Sequence, residues 1–315
     1  MTQVKQLWIT GLVPAVFSPM HADGSLHLEM VPRLVEHLVQ NGAAGLYVCG
    51  STGEGPSLTS AERQAVVEAY VQAAAGRLPV IVQVGHDSLA EARQLAAHAQ
   101  AIGADAISAV PPVYFRIDSL ETLLDCLADI TAGAPGLPFY YYHIPRLTAA
   151  RIDVVRFLQL GAQHLPNLTG VKYSDFTVFE LQACASLESG RFNMLFGSDE
   201  MLLAGLVGGA QGAVGTTYNF AAPLYNQIIA AYRRGELNEA QRLQGLSVRM
   251  LEAINRYATA ATNLPAMKAM MKIIGLDCGP LRLPLTNPTA QQLETLRAEM
   301  QSIGFFEWGQ RRQAP

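Results

Sequence analysis

The feature that most restricts this chain is a repeated order. A short apolar run is followed by a longer stretch of helical period, eight times over between Gly11 and about Arg233. The runs are Gly11–Ser18, Gly45–Cys49, Pro79–Val84, Ala104–Val110, Pro138–Ile144, Leu168–Lys172, Asn193–Gly197 and Gly212–Gly215. Most lack polar alternation, which is what strands covered on both faces require. After the first run, Leu28, Val31, Leu34, Val35 and Leu38 share one helical face. The next two helices are expected to open at capping boxes, Thr59-x-x-Glu62 and Ser88-x-x-Glu91. This order predicts a (β/α)8 TIM barrel, a closed ring of parallel strands with helices outside. A doubly wound sheet is the competitor, but Pro14–Gly24 contains no G-x-G-x-x-G after the first strand. From about Glu236 the pattern becomes purely helical. Leu243, Leu246, Met250, Ile254 and Tyr257 form one apolar stripe, and Asn287-Pro288 is expected to open a last helix through Glu299. The expected division is a barrel over residues 1–233 and a C-terminal helical extension over 234–315.

Composition narrows the function classes. Half of the 315 residues are hydrophobic and 15% are charged, enough for a large core and wrong for a disordered chain. The net charge of −4 supplies no broad basic surface, so neither nucleic acid nor an anionic membrane is an expected partner. The apolar run Leu202–Val207 falls far short of the roughly 20 residues a membrane span needs, and Met1–Thr10 has no signal-peptide core. A cytoplasmic protein is expected. Cys49, Cys126, Cys184 and Cys278 are scattered and fit buried small hydrophobes better than disulfides. The seven histidines contain neither H-x-x-x-H nor H-E-x-x-H, so no metal and no cofactor is expected.

Lysine is scarce. The four are Lys5, Lys172, Lys268 and Lys272, against 18 arginines among the 22 basic residues. Lys268 and Lys272, four apart among Met and Ala, are expected to snorkel or face solvent. Lys172 instead ends the sixth apolar run, and the C-terminal ends of barrel strands carry active sites. A desolvated amine there has a lowered pKa and is nucleophilic toward a ketone. The alternative is a structural pair with Asp175 or Asp199.

Other chemistry-bearing groups fall at the ends of neighbouring strands. Phe139-Tyr140-Tyr141-Tyr142-His143 puts Tyr140 and Tyr142 on one face, Tyr141 and His143 on the other, and alternation does not say which faces inward. Gly50-Ser51-Thr52-Gly53-Glu54-Gly55 offers glycines, hydroxyls and amides suited to a small anion, without the lysine of a P-loop. Gly197-Ser198-Asp199-Glu200 and Gly215-Thr216-Thr217-Tyr218-Asn219 follow strands seven and eight. Each has an ordinary structural reading as a turn or a helix start. Together they converge on one barrel mouth.

In this order the motifs resemble the dihydrodipicolinate synthase and N-acetylneuraminate lyase superfamily of Schiff-base aldolases, from Gly11 to about Phe306. The likeness rests on Gly50–Glu54, Tyr142-His143-Ile144-Pro145, Gly170-Val171-Lys172 and Gly279-Pro280-Leu281-Arg282-Leu283-Pro284-Leu285. The resemblance implies a (β/α)8 barrel that is usually tetrameric, and it makes Lys172 the amine that condenses with pyruvate. It likewise implies Tyr142 as the proton-relaying phenol, and Ser51 with Thr52 as the holders of the pyruvate carboxylate. Ser51 would also join the relay. Tyr114 matches the aromatic that reaches a neighbouring subunit's site. In Tyr142–Thr148, Leu147 stands where dihydrodipicolinate synthases carry an arginine, and Arg146 lies one residue early. The stretch is instead similar to the eukaryote-type sialic acid lyase branch. That likeness implies Ser174, Gly197, Asp199, Glu200 and Thr216 as contacts for a sugar chain. It also implies reversible cleavage of N-acetylneuraminate to pyruvate and the amino sugar N-acetylmannosamine. An aldolase for 2-keto-3-deoxy sugar acids and dihydrodipicolinate synthase are the alternatives.

Overall fold

The structure is a computed structural model that describes residues 4–259 and 262–309. Its eight strands are β1 (Gly11–Pro14), β2 (Leu46–Val48), β3 (Val80–Gln83), β4 (Ala106–Ala109), β5 (Phe139–His143), β6 (Leu168–Tyr173), β7 (Asn193–Phe196) and β8 (Gly212–Gly215). Each lies within or overlaps one of the apolar runs. All pair in parallel in the order β1-β8-β7-β6-β5-β4-β3-β2. The remaining gap is bridged where Ala15 meets Tyr47 and the Val16 amide donates to the Tyr47 carbonyl at 3.0 Å. The result is the (β/α)8 TIM barrel that the alternation predicts.

Two hydrophobic clusters divide the molecule. The smaller fills the barrel and includes Val13, Ala15, Tyr47, Ile81, Ala106, Tyr140, Tyr142, Leu195 and Val214. The larger lies between strands and helices and contains Tyr141, Val171, Tyr173 and Phe196. Successive strand residues point into alternate clusters, so both faces of the sheet are dry and each strand reads as continuously apolar. The open question at β5 is thereby answered: Tyr140 and Tyr142 face inward, Tyr141 and His143 outward. Asn193 secures the lower interior. Its side chain accepts from the Ile9 amide and the Tyr140 hydroxyl, each at 3.0 Å, and donates to the Ile9 carbonyl.

Helix starts follow the sequence unevenly. Thr59 and Glu62 form a complete capping box on the helix Ser60–Ala74. At Leu89–Ala101 only half of the expected box exists. Ser88 caps the Glu91 amide, but the Glu91 carboxylate accepts the Ser60 hydroxyl of the preceding helix instead. The last long helix is Ala290–Ser302, capped by Thr289 with Gln292 rather than opened by Asn287-Pro288. The Asn287 amide is engaged with both backbone groups of Leu281, which places it in the preceding loop.

The eighth barrel helix, Tyr218–Arg233, leads to helices Leu237–Asn255 and Leu264–Ile273, which pack back on the barrel. Here one expectation is overturned. Lys268 neither snorkels nor faces solvent; it is 4% exposed, and its ammonium meets the buried Glu54 carboxylate at 2.9 Å. Its exposed neighbour Lys272 pairs with Asp277 at 3.1 Å. Among the described residues, no helix is long and apolar enough to cross a membrane.

Candidate active site

The C-terminal ends of β2, β5, β6, β7 and β8 bring the site residues together. Lys172 is 3% exposed, and its Nζ lies 3.8 Å from the ring centres of both Tyr47 and Tyr142. Those two rings meet edge to face at 5.7 Å. Burial lowers the Lys172 pKa, while Tyr142 and Asp199 act in the opposite direction. Among the described residues no carboxylate lies within ion-pair distance of the amine. The structural pairing with Asp175 or Asp199 is therefore not formed, and the amine lies against two tyrosine rings and the Tyr142 hydroxyl.

Tyr47 is the residue that the sequence conceals. It reads as one more apolar strand position, yet it walls the amine and donates to the Ser108 hydroxyl at 3.1 Å, which donates to the Tyr140 carbonyl at 2.8 Å. Gly50 lies against the same ring, where a Cβ would come 2.7 Å from it.

The loop after β2 presents an exposed Ser51 and a buried Thr52. Thr52 Oγ1 and Thr216 Oγ1 are 2.7 Å apart, so hydroxyls from β2 and β8 meet across the barrel mouth. Ser174, after β6, sits against Gly197, after β7, with no room for a side chain at that glycine. Asp199 lies over Gly215, where a Cβ would collide with the carboxylate. Its Oδ2 accepts from the amide of Thr217 at 2.7 Å and from its hydroxyl at 2.5 Å. Glu200 is exposed beside it. Tyr114 stands apart in the loop after β4, 80% exposed and packed edge-on against Phe115 at 5.1 Å.

His143 is 2% exposed, stacked on Tyr173 at 5.3 Å, with Nε2 3.9 Å from Asp175. Burial pulls its pKa down to about 4, with Asp175 opposing. The ring belongs to the layer behind Tyr142, as its strand parity requires. One group with metal-ligand character exists among the described residues: His21, His27 and Glu29, whose ligand atoms lie within 4.8 Å of one another. It lies in the segment between β1 and the helix Val31–Gln40, outside the Lys172 group.

Burial raises the Asp199 pKa to about 7, against the lowering effect of its Thr217 bonds. A carboxyl with a raised folded-state pKa binds its proton more tightly in the folded chain. Its contribution to stability therefore falls as pH rises from about 4, the unfolded value, to about 7. Asp199→Asn is expected to remove this dependence. Relative to wild type it should gain stability between pH 4 and pH 8, by at most about 4 kcal/mol. Urea unfolding at the two pH values measures the difference, and a constant difference would refute the raised pKa.

Residues 8–303 match the model of the dihydrodipicolinate synthetase family. The chain belongs to that family. The N-acetylneuraminate lyase of Xenopus tropicalis is 36% identical over 302 residues, covering 95% of this chain and 98% of that protein. The solved N-acetylneuraminate lyase of Proteus mirabilis superposes with a TM-score of 0.91 at 33% identity, over 95% of this chain and 100% of that one. The dihydrodipicolinate synthase of Bacillus anthracis gives 0.86 at 28% identity, over 94% and 99%.

Proposed function

We propose that the chain is a Schiff-base aldolase, a carbon–carbon lyase that cleaves N-acetylneuraminate reversibly to N-acetylmannosamine and pyruvate. The observation that carries this reading is the Lys172 amine, buried at the barrel mouth between two tyrosine rings and, among the described residues, with no carboxylate at ion-pair distance. Its lowered pKa enlarges the neutral, nucleophilic fraction. The similarity to lyases covering nearly the whole chain selects the substrate. Leu147, exposed in the helical turn Pro145–Thr148, supplies no guanidinium there for a second substrate's carboxylate.

The reaction follows from these positions. Ser51 and Thr52 hold the carboxylate of the open-chain 2-oxo acid. Lys172 adds to the C2 ketone, and loss of water gives a protonated imine. Tyr142 takes the C4 hydroxyl proton as it passes its own phenolic proton on through Ser51, and the C4 carbonyl forms. The C3–C4 bond breaks and its electron pair moves into the imine, leaving an enamine. N-acetylmannosamine departs. Protonation at C3 and addition of water then release pyruvate and the free amine. Ser174, Gly197, Asp199, Glu200 and Thr216 bind the sugar hydroxyls, which the Thr52–Thr216 contact and the acidic pair at 199–200 suit.

The protein is a homotetramer in this reading, with Tyr114 contributing to a neighbouring subunit's site. The exposed Val113, Tyr114 and Phe115 fit such a contact. The four free cysteines, three of them buried, fit a cytoplasmic setting.

The deciding experiment is pyruvate release from N-acetylneuraminate, coupled to lactate dehydrogenase. Turnover of about 1–10³ s⁻¹ is expected. No turnover in protein that still forms a pyruvate imine would reject the substrate and point to shorter 2-keto-3-deoxy sugar acids. Condensation of pyruvate with aspartate semialdehyde, inhibited by lysine, would identify a dihydrodipicolinate synthase instead.

A further inference from the structure

The sequence motif left without a task is Gly279-Pro280-Leu281-Arg282, and it lies against the loop that carries Ser51 and Thr52. Gly279 has φ +70° and no space for a Cβ against the Met20 carbonyl. The Pro280 carbonyl accepts from Lys268 Nζ at 2.8 Å. The Arg282 amide donates to Glu54 Oε2 at 2.9 Å, and its guanidinium bridges to both oxygens of Glu62 and to the carbonyls of Gly24 and Ser57.

Glu54 is the hub. It is 2% exposed and holds a left-handed backbone at φ 54°, a conformation that costs a non-glycine residue energy unless its surroundings impose it. Those surroundings come from the far end of the chain. Lys268 Nζ donates to Glu54 Oε1 at 2.9 Å, to the Ser18 carbonyl at 3.1 Å and to Pro280, so its three protons are all used. The turn is closed on itself as well: the Glu54 amide donates to the Ser51 carbonyl and the Gly55 amide to the Gly50 carbonyl, each at 3.1 Å. The Ser18 hydroxyl holds the Gly53 carbonyl at 2.6 Å. A shift of Glu54 therefore moves Ser51 and Thr52.

A buried ion pair is a weak device for stability, because desolvation offsets most of its attraction, but it specifies direction and register. We propose that the C-terminal helical region positions the Ser51–Thr52 clamp through the buried Lys268–Glu54 pair, making both of them positioning residues for the substrate carboxylate. This rests on the reading of Ser51 and Thr52 as the holders of that carboxylate.

The test is borohydride trapping of pyruvate on Lys172, measured against pyruvate concentration. Single removal of either charge strands the other in the core and endangers folding, so the informative variant is Glu54→Gln/Lys268→Met, which removes both at nearly constant volume. Half-saturation by pyruvate is expected to rise about tenfold while trapping at saturation stays within about threefold of wild type. Unchanged half-saturation in the folded variant overturns the proposal, as does a loss confined to the saturating rate. If the double variant does not fold, Lys268→Arg keeps the charge but cannot place it on the same three acceptors. It should raise half-saturation about threefold, and no change overturns the proposal. Trapping does not need sialic acid. A wild-type chain that traps pyruvate but leaves N-acetylneuraminate intact loses the substrate assignment alone, whereas one that traps no pyruvate overturns the imine reading and this proposal together.

Discussion

Lys172→Ala is expected to abolish the borohydride-trapped pyruvate adduct and to lower the aldol rate by on the order of 10⁴-fold or more. The amine is the group that becomes covalently joined to substrate in this mechanism, and the other three lysines are differently employed. Lys5 and Lys272 are exposed and paired to Asp105 and Asp277, and Lys268 is locked on Glu54. None can substitute. Folding should survive, because a buried lysine with no ion-pair partner among the described residues contributes a desolvation cost that alanine removes. Mass spectrometry after borohydride treatment, with circular dichroism to verify the fold, checks both halves. A full-strength adduct in the variant would rule out Lys172 as the nucleophile.

Tyr142→Phe comes second in size. The ring should continue to pack against both Lys172 and Tyr47, since the phenylalanine differs only by the hydroxyl. In the proposed mechanism, loss of the phenol breaks the relay that takes the C4 proton, and positioned acid–base groups contribute about 10²–10⁴-fold. The kcat for cleavage should fall in that range, while pyruvate trapping on Lys172 persists at a reduced rate. A variant cleaving at the wild-type rate would show that another group takes the proton. The two substitutions thus separate imine formation from bond cleavage.

Tyr47→Phe would not serve the same purpose. Its hydroxyl points to Ser108, and through it to the Tyr140 carbonyl, so the ring rather than the oxygen borders the amine. That distinction is invisible in the sequence, where Leu46-Tyr47-Val48 is an apolar run like its neighbours.

The barrel was legible because its strands are buried on both faces. Such strands read as uniform apolar runs, and eight of them alternating with helical segments leave few architectures open. Lys172 was legible for the same reason: a lysine closing an apolar run must sit at the strand's C-terminal end, whatever the rest of the chain does. The same uniformity hid the orientation of β5. With no polar face, the period of two has no phase, and only packing against Tyr47 on one side and Phe157 on the other sends Tyr142 inward and Tyr141 outward. Single helix starts failed where a side chain had a better tertiary offer, as Glu91 did in Ser60 and Asn287 in the Leu281 backbone.

The amino-acid order by itself determined the number and sequence of β/α units, the position of the amine at the end of β6, and the hydroxyl-bearing loops after β2 and β8. Local periodicity and strand polarity suffice for these, because each depends on residues close together in the chain. Only the tertiary structure decided that Thr52 meets Thr216, 164 residues away, and that Lys268 is drawn into the core by Glu54, 214 residues away. A lysine in a helix of Met and Ala has the same local pattern whether it snorkels or is buried. The difference is a carboxylate delivered by another part of the fold, and no local pattern contains it.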